Sequence, residues 1–110
     1  METNGNMMND REIAIKRIRK ALKSRSGLTW SVKGGRGTSW GWITIAAPPK
    51  RETEDGYISE MDRSRLKALL DLETVHQQGV SIPSSGAYRD EYIARAEGRT
   101  PTVHGEPYWD

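Results

Sequence analysis

LTWSVKGGRGTSWGWITI, residues 28–45, decides the fold. Leu28, Trp30 and Val32 alternate with Thr29, Ser31 and Lys33, the period-two pattern of a strand with one buried face. Thr38 to Ile45 repeats it, with Gly41, Ile43 and Ile45 on one side and Trp40, Trp42 and Thr44 on the other. The intervening Gly34, Gly35 and Gly37 allow positive φ, so the two runs read as a tight or bulged hairpin. If Ile43 and Ile45 share a core with Trp30 and Val32, the Trp40/Trp42 face lies opposite, where it is either covered or used for binding.

Upstream, Asn9 or Asp10 caps a helix expected from about Arg11 to Lys23, with Ile15, Ile18 and Leu22 as its apolar stripe and Gly27 as its stop. Lys16, Arg19, Lys20 and Lys23 fall on another face with Arg17 at its edge; the plainest reading of such a face is solvated surface. Downstream, Pro48 and Pro49 end the second strand and Lys50 to Gly56 forms a polar connection. Ser59 with Asp62 has the spacing of a capping box, opening a helix whose buried side is Met61, Leu66, Leu69, Leu70 and Leu72. Gly79 breaks the chain and Val80 to Ile82 reads as a short strand. Ser84 or Ser85 caps a third helix to about Glu97, which Gly98 closes. Tyr108 and Trp109 read as an anchor of the tail onto the body. The expected architecture is therefore α+β: a basic N-terminal helix, a β-hairpin or small antiparallel sheet, and two C-terminal helices packed on it. Residues 1–9 are expected as a flexible N-terminus and residues 10–110 as one compact domain.

At 110 residues there is room for one core but not for a cleft between two lobes. The absence of cysteine excludes disulfides and thiolate metal sites; METNGNMMND has no apolar core and nowhere do apolar residues run for membrane-spanning length, so neither a signal peptide nor a membrane span is expected and a cytoplasmic location is. Charge is split along the chain: residues 1–51 hold 11 Lys/Arg against 3 Asp/Glu, and residues 52–110 hold 6 against 12. The basic half can attract phosphate or an acidic partner, or the acidic half can neutralise it by packing.

The turn supplies the candidate ligand site. Lys33, Gly35, Arg36, Gly37 and Thr38 bring backbone N–H groups, two cations and a hydroxyl into a few residues, the makings of an anion nest. It fits no standard nucleotide fingerprint, and a hairpin that needs glycine only for its geometry is the plainer reading. Trp40 and Trp42 offer stacking surfaces for bases, unless Tyr88, Tyr92 and Trp109 cover them. His76 and His104 stand apart from any metal-ligand neighbour, and no nucleophile elbow is present. Asp62, Glu73, Asp90 and Glu91 could supply a carboxylate pair in space for acid/base work, but solvated helix positions are the simpler reading. A non-enzymatic protein that needs no cofactor or metal is expected.

Ile18-Arg19-Lys20-Ala21-Leu22-Lys23, Trp30-Ser31-Val32-Lys33 and Gly37-Thr38-Ser39 resemble a module of the large polyvalent protein-associated domains found in phages and conjugative elements, over about residues 13–49. That resemblance implies a mobile-element setting, with roles in DNA transfer or in countering host defence, and no catalytic residues. The leading expectation is a small binding protein that contacts nucleic acid or another phosphate-bearing ligand through Lys16, Arg19, Lys20 and Lys23 of the helix and Lys33, Gly35, Arg36, Gly37, Thr38, Trp40 and Trp42 of the hairpin. The alternatives are an inhibitor or adaptor docking on a host defence complex, as anti-CRISPR proteins do, and a homo-oligomer that sequesters a nucleotide.

Overall fold

The computed structural model describes residues 10–35, 42–83 and 86–99. The expected flexible N-terminus, the turn residues Arg36, Gly37, Thr38 and Trp40, the capping residues Ser84 and Ser85, and the Tyr108/Trp109 anchor lie outside them. In chain order come α1 (Asp10–Ser26), β1 (Ser31–Gly34), β2 (Trp42–Ala46), a 3-10 turn (Pro49–Arg51), α2 (Glu60–Leu70), β3 (Val80–Pro83) and α3 (Gly86–Ala96). The α+β architecture is as the alternation and helical periodicity predict.

The strands form an antiparallel sheet in the order β1-β2-β3. Its register aligns Val32, Ile45 and Val80 in one row and Gly34, Ile43 and Ile82 in the next, so one face carries the apolar side chains. All of these but Gly34 are buried with Ile18 and Leu22 of α1, Leu66 and Leu70 of α2 and Tyr92 of α3 in one continuous core. Helix α1 packs on β1 and α3, α3 on β3, and α2 on both other helices. The opposite face shows Ser31, Lys33, Trp42, Thr44, Ala46, Ser81 and Pro83, of which none is fully buried. Pro83 stands opposite Trp42, where ladder alternation turns its missing N–H outward from an edge strand, a position proline tolerates.

Two boundaries and one buried face differ from expectation, each for a local reason. Helix α1 continues past Lys23 to Ser26 because Gly27, at φ +78°, is the residue that leaves the helix, its N–H still donating to the Lys23 carbonyl at 2.8 Å. Strand β1 begins at Ser31, not Leu28, because the preceding segment is tied to the helix end. The Leu28 N–H and Trp30 Nε1 both donate to Ser26 Oγ at 3.0 Å, and Trp30 is buried at 1% exposure. Met61 is 63% exposed, so it does not belong to the buried side of α2. Its neighbour Asp62 takes that place, one turn before Leu66, with its N–H donating to Ser59 Oγ at the helix cap.

Candidate functional site

Helix α1 carries most of the described positive charge of the first half, and the fold divides it by residue type. The arginines are committed to the structure. The free edge of β1 is one destination: the Gly35 N–H donates to the Trp42 carbonyl, so by alternation the Val32 carbonyl points away from β2. Arg19 Nη2 donates to it at 2.7 Å, and Arg11 Nη1 donates to the Gly35 carbonyl at 2.9 Å. Arg25 Nη1 reaches the carbonyls of Leu69, Arg95 and Ala96, at the C-terminal ends of α2 and α3, where helix dipoles favour a cation. Arg17 grips the Glu97 carboxylate through Nε and Nη2 at 3.0–3.2 Å, and Arg99 grips the same carboxylate at 2.8–3.0 Å. A planar fork that bonds several oxygens at once suits these tasks better than an ammonium.

The lysines are left to solvent. Lys16, Lys20 and Lys23 are exposed and make no hydrogen bond or ion pair among the described residues. With Arg19, Ser24 and Thr29 they line an open groove of about 630 Å³ between α1 and the segment entering β1. A second depression of about 390 Å³ lies on the other flank, lined by Arg17, Lys20, Ala21, Ser24, Arg25 and Glu97. Lys20 and Ser24 thus border both. The whole face is exposed, as a solvated face should be, and the arginines differ from the lysines in also bonding into the fold.

Of the hairpin residues, Lys33 is exposed and Trp42 half-buried, and both belong to the polar sheet face. The Gly35 N–H is used in the ladder to Trp42 and is not offered to an anion, so the nest loses one of its expected donors. Trp42 stands outside the core cluster, whereas Tyr92 lies inside it and Tyr88 packs against it. The C-terminal tyrosines therefore serve the inner face and are not the cover expected for the outer one.

Two carboxylates expected on solvated faces are buried. Asp62 is fully covered, with Arg51 donating to both its oxygens at 2.9 Å and Arg65 at 3.4 Å; the hydrogen bonds and charge of Asp62 raise Arg51 above the ordinary arginine range. Glu91 is 2% exposed and accepts from Arg95 Nε at 2.9 Å, while Arg95 Nη1 donates to the Leu70 and Asp71 carbonyls at 2.8 Å and its guanidinium stacks 5.4 Å from the Tyr92 ring. Saturated by structural partners, these carboxylates make poor acid/base candidates. Burial pushes the Glu97 carboxyl up, but the hydrogen bonds and charges of Arg99 and Arg17 outweigh it and hold the group below the ordinary carboxylate value. No group of His, Asp and Glu among the described residues could hold a metal ion, and no described helix is long and apolar enough to cross a membrane.

No protein-family model, curated protein or solved structure matches the chain.

Sequence reasoning missed Arg17, Glu97 and Arg99 as a connected group. Arg17 and Glu97 are 80 positions apart and carry no motif; the only signal was the opposite charge of the two halves.

Proposed function

We propose that the protein is a non-enzymatic, cytoplasmic nucleic-acid-binding module that holds the phosphate backbone in the α1 groove. One observation carries the reading: Lys16, Lys20 and Lys23 line one open groove while the arginines around them are consumed by the fold. Lys16 and Lys23 are separated by about 10 Å along the helix axis. That span is long enough for the groove to meet more than one backbone phosphate, since a duplex carries a charge about every 1.7 Å of its axis. Ser24 and Thr29 add hydroxyl donors, and the lysines, as hydrated point charges, favour a sequence-independent backbone contact over base readout. Lys33 and Trp42 on the sheet face offer a second contact, suited to a splayed single strand. The resemblance at Ile18–Lys23 and Trp30–Lys33 is the support for proposing a phage or conjugative-element setting for such a module.

The test is fluorescence anisotropy with a labelled DNA duplex and its single strand across a salt series. Binding should weaken with salt with a log–log slope of about −3 for the duplex, and each Lys→Gln change in the groove should reduce the slope by about 1. Absence of binding to either form at low salt, or binding indifferent to the triple Lys16/Lys20/Lys23→Gln variant, would overturn the reading. A preference for the single strand that is lost in Trp42→Ala would place the sheet face in the interface.

A further inference from the structure

The flank of α1 away from the lysine groove holds two guanidinium forks converged on one carboxylate. Arg17 and Arg99 give Glu97 five hydrogen bonds of 2.8–3.2 Å, yet their side chains remain 50% and 56% exposed. Lys20 lines the same depression without a partner among the described residues, and Arg25, its Nη1 bonded to helix-end carbonyls, lies at its margin, so the cations gathered here outnumber the one carboxylate. The excess of positive charge is larger than a structural ion pair needs. Arginine forks fit a carboxylate and a phosphate with the same paired geometry. Glu97 sits just past the end of α3, before Gly98 at φ +77°, and its side chain can leave the clasp by rotating about its own bonds without unwinding the helix.

We infer that the Arg17/Arg99 clasp is a phosphate subsite which the Glu97 carboxylate occupies in the free protein and a nucleic-acid phosphate takes over on binding. The inference rests on the reading of α1 as a nucleic-acid-binding helix and extends it: the helix is gripped from both flanks, by lysines in the groove and by arginines in the clasp, with Lys20 and Ser24 common to the two. Glu97 then acts as a built-in competitor. It keeps the arginines ordered and their charge matched in the free state, and it lowers affinity by the work of displacing it. Its carboxyl remains ionised at neutral pH, because the two arginines hold its pKa down against the effect of burial.

Glu97→Gln tests this, since it preserves side-chain size while removing the charge. With the same labelled duplex and single strand, affinity should rise about tenfold at low salt, the worth of one charge-assisted contact. The salt slope should steepen by about 1 as a further phosphate is engaged. Adding Arg17→Ala to Glu97→Gln should abolish the gain. Glu97→Ala serves as a second variant in case the amide still holds the arginines, and far-UV circular dichroism with a melting curve verifies the fold of each. Wild type that binds only weakly beside a Glu97→Gln protein that binds well also supports the clasp. If Glu97→Gln and Glu97→Ala both bind with wild-type affinity and slope, while the triple lysine variant loses binding, the subsite is refuted and the groove reading stands. A gain that survives Arg17→Ala refutes it too, as a general charge effect. If neither wild type nor the Glu97 variants bind, both proposals fall.

Discussion

Ser26 closes α1 with a single hydroxyl that meets three groups. It donates to the Leu22 carbonyl at 2.6 Å and accepts from the Leu28 N–H and from Trp30 Nε1, so the helix end, the connecting segment and the largest core side chain are fixed together. Ser26→Ala leaves the indole N–H and one backbone N–H in a partly covered site without that acceptor. Urea unfolding should show a loss of about 1–3 kcal/mol. Trp30 and Val32 were legible as core from their alternation, because burial on one face of a strand imposes period two. Ser26 was not legible: a serine's partners depend on the path of the chain after the helix, and nothing in its immediate neighbours encodes that path. The burial of Asp62 and Glu91 was hidden for the same reason, since their arginine partners and the closeness of those partners to the core are set by packing.

At the scale of elements, β3 enters the sheet through Gly79. This residue has φ +116°, its N–H donates to the His76 carbonyl at 2.9 Å, and a side-chain Cβ would run into the Ile45 carbonyl oxygen of the neighbouring strand. Both the backbone angle and the close approach demand glycine. Gly79→Ala should therefore lower stability by more than about 1 kcal/mol, measured by chemical denaturation, whereas Gly56→Ala probes backbone strain alone, because Gly56 has φ +81° and open space at its Cβ position. The sequence marked Gly79 as a break, and a glycine beside an apolar run does signal one; the reason for it, a strand arriving from elsewhere in the chain, lies in the sheet order. Helix α1 was legible in the same partial way. The spacing of Ile15, Ile18 and Leu22 predicts its buried stripe, and the cations follow by exclusion. Which of them remain available follows only from where the β1 edge and the ends of α2 and α3 pass.

Across the whole molecule, opposite charges in the two halves of the chain meet in particular places. Arg17 pairs with Glu97, Arg51 with Asp62, and Arg89 with Asp10. The Glu97 contact joins the first helix to the residues after the last one, so its titration reports on the closure of the domain. Because the folded-state pKa of Glu97 is depressed, its contribution to stability is fully present above the unfolded carboxylate value and is lost as pH falls through the lower, folded one. With its partners half exposed, the effect should stay within about 1 kcal/mol. Thermal melts of wild type and Glu97→Gln should differ most near neutrality and converge in acid; a gap that widened in acid would contradict the assignment. The placement of Arg11 and Arg19 along β1 has a different kind of consequence, for behaviour in a crowded solution. An unguarded sheet margin is a template on which a stray strand from another molecule can lengthen the ladder into a filament. Here the outward-facing Val32 carbonyl already has its donor in Arg19, and the Arg11 guanidinium lies beside Gly34 and bonds the Gly35 carbonyl just past the strand's end, so an incoming strand meets a bonded acceptor and a fixed cation where it needs free backbone groups, and strand addition at that margin is disfavoured.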